Sequence, residues 1–584
     1  MKRISQRLSQ CLLLLLVGAL PQVFAADYYV SASTGLDTNN GLTPASAFQS
    51  IDKVNALALQ PGDRVLFKAG DSWTGMLWPK GSGTLVSPIT ISSYDSGDKP
   101  IIDGNGFQAA LLIFNDDAYE ISGLALTNQA SHLDGGGNDK LLSGFGGAEN
   151  DNGSGRDVRF GVKIVANTRS LAYFRIGELD IYDVYPTPTN TAFQHRGYGI
   201  KFESQSDVGA NEIYTISDVE MDSLSVSTTG HYGVWARPLG LDGVDLHKHF
   251  DFVLRNSTFQ NTGGAGFVPA KVENLLVENN RFDGTGSSID PRMWKRGSGL
   301  WPFDSKDVII QHNTVMNAQG PLDSYGIHID YNNENVVVQY NFSYNNEGGF
   351  AQILGANINS GYRYNISVAD GSRVDGVNGA IQNGRIFNVS NFCNIPAGCP
   401  STGNFIYNNT VYVPDNISPE IFFKGGSGQT ALYNNLIYVE PGNPGLSTQL
   451  AQNGVEYFIA RNLFYPQSLF TLDAALTTDA LFIDPELRMP GEPFAALYKL
   501  LPPSMAKYQG KLISGSANTM AYSLNNGGQD FFGNPISDIQ MPHIGAYNGN
   551  ELLDAFQIPL LPLPWQGIFL LILVSMGVVV RPCK

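Results

Sequence analysis

Short stretches in which apolar and polar residues alternate recur through the centre of the chain, and each leads into an asparagine. Examples are residues 253–259, 276–282 and 336–342. Alternation with a period of two predicts β-strands that bury one face. Because strands this short cannot bury a face alone, the repeats must stack on their neighbours, which predicts a solenoid.

The asparagines of these stretches recur at intervals of 21 to 33 residues. In a stack of coils we expect their side chains to form a ladder, in which each amide donates to one neighbour and accepts from another. Asparagine also suits the turns that end such strands, because it tolerates left-handed backbone. The predicted ladder consists of Asn256, Asn280, Asn313, Asn341, Asn365, Asn388, Asn409, Asn435 and Asn462.

This pattern resembles the right-handed parallel β-helix of the pectate-lyase-like superfamily, as do the opening run at residues 28–35 and the closing motifs at 530–535 and 542–547. The resemblance implies an all-β fold, a single-stranded right-handed parallel β-helix that covers nearly the whole exported chain. Residues 47–59 have helical spacing, and we expect a capping helix there that covers the open N-terminal end of the solenoid.

The two ends of the chain have the composition of targeting segments. Basic residues precede the apolar run 11–20, which predicts a signal peptide over residues 1–25. Residues 550–584 form a linker and a hydrophobic tail that resembles bacterial C-terminal sorting tails, and both a processed tail and a permanent anchor remain open. We therefore expect a β-helix domain over residues 26–549 in a secreted or surface-associated protein attached to the cell envelope through its C-terminal segment.

Composition narrows the class of partner. Only 15% of the residues are charged and 64 are glycine, which excludes a disordered or coiled-coil chain. The formal net charge of −17 argues against nucleic acid as a partner.

Cys393 and Cys399 are the cysteines of the exported part, and a small-loop disulfide is expected because a metal site would need ligands that are not close in sequence.

A second repeat, glycine followed by a strand, begins at Gly161, Gly199, Gly233, Gly266, Gly299, Gly326 and Gly349. The residue after each glycine is apolar and should point inward, so the next one should point outward. Exposed tryptophan on such a face suits sugar rings, and a row of cations suits an anionic polysaccharide. The outward row and its flanks give Lys163, Lys201, Trp235, Arg237, Trp301, His328 and Asp330.

The favoured hypothesis is a lyase that cleaves an acidic, uronate-containing polysaccharide by β-elimination. Lys201 and Arg237 would bind the carboxylate, His328 would be the base and Tyr325 the acid. His328 and Asp330 lie two apart on one strand face, and Arg296 is a further substrate-binding candidate. The resemblance implies calcium as the cofactor to test, although the sequence identifies no metal-ligand set. C5-epimerisation starts from the same proton abstraction.

Two alternatives remain open at this stage. A glycoside hydrolase of the same fold would use two carboxylates from Asp304, Asp323 and Asp330, and their separation would decide between inversion and retention. A non-catalytic surface protein would use its Trp and Lys side chains only to hold glycan. In every case the expected partner is a polysaccharide, and we expect a monomer.

Overall fold

The computed structural model describes residues 25–129, 158–186, 196–205, 213–239, 248–514 and 525–550. The chain winds through three parallel sheets in turn, so that each coil of the solenoid adds one strand to each sheet. The all-β parallel solenoid that the sequence predicts is confirmed, and its described strands have two to ten residues. The signal peptide and the apolar tail lie outside the described residues.

The first sheet contains fourteen of the described strands, which are Asp27–Val30, Arg64–Lys68, Ile89–Tyr94, Tyr119–Ser122, Leu171–Gly177, Ile216–Asp222, His249–Arg255, Val272–Glu278, Lys306–Gln311, Glu334–Gln339, Gly361–Arg363, Ser401–Tyr407, Gly428–Tyr433 and Val455–Ala460. The second contains thirteen, which are Ser72–Thr74, Ile101–Asp103, Ala125–Gln129, Asp180–Tyr185, Ser225–Ser227, Thr258–Gln260, Arg281–Asp283, Thr314–Met316, Phe342–Tyr344, Ile366–Val368, Thr410–Val413, Leu436–Val439 and Leu463–Tyr465.

The third sheet is in two parts. Five strands form the first part, which are Ala109–Phe114, Val158–Ala166, Arg196–Gln205, Val234–Leu239 and Phe267–Pro269. Six form the second part, which are Tyr325–Ile329, Gly349–Ile353, Arg385–Val389, Glu420–Phe423, Leu446–Leu450 and Phe470–Thr471. Between them, Leu300 pairs with Phe267 and with Ile327 through isolated bridges. The coil that carries Trp301 therefore interrupts the regular sheet.

The core runs along the axis, where identical register stacks apolar side chains from coil to coil. Val277, Ile310 and Val338 are aligned in this way and are fully buried. Burying a Val or Ile side chain contributes about 1.5–3 kcal/mol, and the stack repeats this contribution at every coil.

The glycines of the third sheet let neighbouring coils approach closely. A Cβ at Gly233 would lie 2.5 Å from the carbonyl oxygen of Gly266, and one at Gly199 would lie 2.4 Å from that of Gly233. Any larger side chain would push these coils apart. The sequence repeat of glycine therefore has a steric cause on this side of the solenoid.

The predicted asparagine ladder is confirmed between Asn280 and Asn462. Each Oδ1 accepts from the backbone N–H and from the Nδ2 of the preceding member, as Asn341 does from Asn313 at 2.9 and 3.0 Å. Two of the predicted members do not belong to the ladder. Asn256 precedes Ser257, whose backbone N–H donates to Asn280 and which therefore takes the ladder position. Asn388 lies in a strand of the third sheet instead.

The N-terminal cap is shorter than predicted. The helix spans only Ile51–Asn55, preceded by a 3-10 helix at Pro44–Ser46, because the backbone N–H of Leu59 donates to Lys80 and draws the chain into the next coil. Further short helices are Ala474–Thr477, Gln467–Leu469 and Ala495–Tyr498.

Two further features concern the rest of the chain. Cys393 and Cys399 are joined by the expected disulfide. In the described part of the chain, no helix is long and apolar enough to cross a membrane.

Candidate active site

The outer face of the third sheet carries the row of residues that the sequence singles out. Ile327 and Ile329 point into the core, so His328 between them points outward, as the alternation predicts. In the first part of the sheet, Lys163 pairs with Lys201 and Lys201 with Trp235 across neighbouring strands. The row is therefore continuous over both parts of the sheet, but its two parts differ in accessibility.

In the first part, the predicted exposure of the row is wrong. Lys163 and Lys201 have no accessible surface and Trp235 retains 8%. The reason is a second apolar cluster on the outside of the sheet, which encloses these side chains and which consists of Met76, Ala109, Leu112, Val158, Phe160, Val165, Tyr198, Trp235, Ala265 and Val268. Lys163, Lys201 and Trp235 therefore do not form a surface for an anionic polysaccharide.

The buried cations form a compact network with one carboxylate. The Nζ of Lys163 lies 3.8 Å from Oε1 of Glu203, and the Nζ of Lys201 lies 3.0 Å from the ring centre of Trp235. Burial lowers the pKa of both lysines, and the charges of Arg237 and Lys163 lower that of Lys201 further. Arg237 itself is partly exposed, with its guanidinium carbon 5.8 Å from the Trp235 ring.

At the interruption of the sheet the row reaches the surface through Trp301 and Asp330, whereas His328 between them retains 3% of its accessible surface. The rings of Trp301 and His328 are stacked, with centres 5.3 Å apart and planes 9° from parallel. His328 Nδ1 is 2.8 Å from the hydroxyl of Ser298, and its Nε2 is 3.8 Å from Oδ2 of Asp330. Oδ1 of Asp330 accepts from the backbone N–H of Tyr331, and 15% of the Asp330 side chain is exposed.

A second carboxylate borders the same opening. Oδ2 of Asp323 accepts two hydrogen bonds from Arg296, at 3.0 and 2.6 Å, and 36% of the side chain is exposed. The ring of Tyr232 lies 6.1 Å from that of Trp301. Desolvation raises the pKa of its phenol, and the negative charges of Asp323 and Asp330 raise it further. Both carboxylates are thus within electrostatic reach of one phenol.

Tyr325 and Asp304 are engaged in contacts within the protein. The phenol of Tyr325 is buried and accepts a hydrogen bond from Asn388, and burial raises its pKa. The carboxylate of Asp304 is held by Lys248, Lys271 and Asn332. Because these three contacts engage its oxygens, Asp304 is placed as the centre of a structural ion-pair cluster.

Sequence reasoning missed Tyr232, Ser298 and Asn388. An aromatic residue directly before the glycine of the third-sheet repeat recurs at Phe160, Tyr198, Tyr232 and Tyr325, and this recurrence was the available signal for Tyr232. Ser298 has no comparable signal, because its role depends on a contact with the next coil. No group of three or more His, Cys, Asp or Glu side chains is placed to hold a metal ion among the residues that the structure describes.

Comparison with known proteins agrees with this architecture. The family model for the right-handed beta helix region matches residues 183–360. The chain is a right-handed parallel β-helix. This is the architecture that the sequence predicts, and the three parallel sheets of the described residues agree with it.

Two relatives of this β-helix are carbohydrate-active enzymes. A lacto-N-biosidase of Bifidobacterium longum subsp. longum is 25% identical over 483 residues, which are 70% of this chain and 28% of the relative. The chain thus spans less than a third of the length of that relative. The crystal structure of GH136 lacto-N-biosidase from Eubacterium ramulus has a TM-score of 0.51 and 21% identity, and the match covers 74% of this chain and 68% of that one.

Proposed function

We propose that this β-helix protein is a glycoside hydrolase in which Asp330 and Asp323 are the reacting pair of carboxylates. The observation that carries the proposal is the grouping at Trp301, the accessible ring of the outward row. His328 stacks on this ring and lies 3.8 Å from Asp330, and Tyr232, whose phenol is within electrostatic reach of both Asp323 and Asp330, has its ring 6.1 Å from that of Trp301. Glycoside hydrolysis generally needs two carboxyl groups on either side of the glycosidic bond.

The surroundings of the two carboxylates suggest a division of roles. Asp330 lies deeper, faces His328 and accepts from a backbone N–H, so we assign it as the nucleophile or the base that activates water. Asp323 is more exposed, and Arg296 binds only its Oδ2. Because this ion pair favours the ionised carboxylate, Oδ1 takes up a proton from solvent before it passes that proton to the leaving oxygen. Trp301 provides an apolar face on which the sugar ring can stack.

β-Elimination, which the sequence favours, receives less support from the geometry. Of the two cations expected to neutralise a uronate carboxylate, Lys201 is enclosed and only Arg237 is partly exposed, and the expected acid Tyr325 is buried. A lyase would leave an unsaturated product that absorbs ultraviolet light, whereas a hydrolase yields new reducing ends alone. Assays of uronate polysaccharides with and without calcium therefore separate the two reactions and test the calcium requirement.

The test substrate follows from the relatives. Because both are lacto-N-biosidases, we propose a neutral glycan containing lacto-N-biose as the substrate class, and the assay uses p-nitrophenyl lacto-N-bioside beside a panel of neutral and acidic oligosaccharides. Release of p-nitrophenol reports cleavage directly.

The carboxylate variants decide the proposal. Asp330→Asn should lower kcat by about 10³-fold or more, because the reaction loses its nucleophile or base. Asp323→Asn should lose far more activity on unactivated oligosaccharides than on the p-nitrophenyl substrate, whose leaving group needs little protonation. Asp375→Asn, on an exposed turn, is the matched control and should keep full activity. Wild-type activity that survives in Asp330→Asn would exclude this assignment.

A further inference from the structure

The outward row continues past His328 into three more coils. His328 pairs with Gln352, Gln352 with Asn388, and Asn388 with Phe422. Successive strands of a sheet are about 4.8 Å apart, which is close to the length of one pyranose unit along a glycan chain. A glycan that places one ring on Trp301 and extends along the axis of the solenoid therefore meets a new side chain of this row at each sugar.

Gln352 is the member of the row that points to a ligand. Only 8% of the residue is accessible, yet its side-chain amide has no hydrogen-bond partner among the described residues. Its polar atoms are not sealed from solvent, in contrast to those of the enclosed Lys201. Both the oxygen and the nitrogen of this amide are therefore available to a ligand with hydroxyl groups.

The neighbouring coil holds polar groups in fixed positions. Arg385 donates to Asn388 Oδ1 at 3.1 Å and forms an ion pair with Glu420 at 3.3 Å, and its guanidinium carbon lies 3.8 Å from the ring centre of Phe422. Asn383 donates to the other oxygen of Glu420. The charge of Arg385 is therefore balanced by Glu420, and Asn388 is held by Arg385 and Tyr325, so the group forms a fixed polar boundary without a net charge beside Gln352.

We propose that Gln352, with Asn388 and the Arg385–Glu420 pair, forms a binding subsite for an uncharged sugar unit of the glycan. A sugar hydroxyl both donates and accepts, and so does the amide of Gln352. A uronate in this position would face the carboxylate of Glu420 while the matching cation is already engaged. This inference rests on the proposed function for the position of the cleaved bond, and it adds that the unit beside that bond is a neutral hexose or N-acetylhexosamine.

The test measures binding without cleavage. Isothermal titration calorimetry on the full chain with Asp330→Asn compares a neutral oligosaccharide that contains lacto-N-biose with a uronate oligosaccharide of equal length. Adding Gln352→Ala should weaken binding of the neutral oligosaccharide about tenfold, the effect of one lost hydrogen-bonded contact. Gln449→Ala, which lies in the same row one coil beyond Phe422 and is exposed, is the matched control and should leave the affinity unchanged.

The outcomes separate the two proposals. Equal affinity of the Gln352→Ala and control proteins, or tighter binding of the uronate, would overturn the subsite while leaving hydrolysis intact. Conversely, affinity that depends on Gln352 in a wild-type protein that cleaves no neutral glycoside would overturn the hydrolase and keep the subsite. A circular dichroism spectrum and unfolding temperature equal to those of the parent protein show that Gln352→Ala is folded.

Discussion

At the scale of single residues, the direction of a side chain and its accessibility are separate properties. Lys201 and His328 both point away from the core on the same face of the third sheet, but Lys201 has no accessible surface. Strand alternation decides direction, whereas accessibility depends on what packs outside the sheet. The chemistry of the row is therefore confined to the part near Trp301, His328 and Asp330.

A buried carboxyl provides a prediction at this scale. Burial raises the pKa of Asp370 to about 6, although Ser367 and Asn346 donate hydrogen bonds to it. A carboxyl whose pKa is higher in the folded than in the unfolded protein destabilises the fold once it ionises. The loss of stability therefore grows between about pH 4 and pH 6 and is constant at higher pH, where it amounts to roughly 3 kcal/mol.

Asp370→Asn should therefore raise stability at pH 7 and leave it nearly unchanged at pH 4, because both proteins are then neutral at this position. Thermal unfolding of the two proteins between pH 4 and pH 7 measures the difference. A difference in unfolding temperature that does not grow with pH would contradict the assignment. The hydrogen bonds to Asn346 survive the change, since the amide oxygen still accepts.

At the scale of elements, a strained turn holds one of the two proposed carboxylates. Asp323 and Ser324 adopt consecutive left-handed conformations, with φ of 57° and 58°. Such a conformation costs a residue with a side chain about 1–2 kcal/mol. Arg373 offsets this cost by donating to the carbonyl of Asp323 at 3.0 Å and to the hydroxyl of Ser324 at 3.3 Å.

Removing this guanidinium should disturb the turn and thus the position of Asp323. Arg373→Gln is expected to lower kcat about tenfold or more with a smaller effect on KM. Ser324→Gly in the same protein should restore part of kcat, because glycine adopts positive φ without strain. Steady-state kinetics on the single and double variants test this. If the double variant has the same kcat as Arg373→Gln, the loss of kcat does not arise from strain in this turn.

The asparagine ladder gives a second prediction for an element. Asn341 is fully enclosed, and its side chain joins the coils before and after it through hydrogen bonds to Asn313 and Asn365. Asn341→Ala should destabilise the protein by about 3 kcal/mol, because buried partners lose their hydrogen bonds. Chemical unfolding measures this, with the exposed Asn453→Ala as the control. A loss below about 1 kcal/mol would mean that water replaces the amide.

At the scale of the whole molecule, the net charge of −17 repels anionic glycans over long range and so disfavours their binding before any contact forms. The screening length is about 30 Å at 0.01 M salt and about 8 Å at 0.15 M. The affinity for a uronate oligosaccharide should therefore be lowest at low salt and should rise with added NaCl, whereas that for a neutral one should change little. Calorimetric titrations at both salt concentrations measure this, and an equal response of both ligands would contradict it.

The amino-acid sequence by itself determined the solenoid, the inward and outward alternation of the third sheet and the ladder from Asn280 to Asn462, because these depend on local periodicity and on repetition. It also identified Asp323, His328 and Asp330 as candidate site residues, because they lie within one short segment. Only the tertiary structure decided that Lys201 is enclosed, that Asp304 is held by two lysines and that Tyr232 packs near Trp301, within electrostatic reach of Asp323 and Asp330. These facts depend on contacts between coils and on the cluster outside the sheet, which no local pattern encodes.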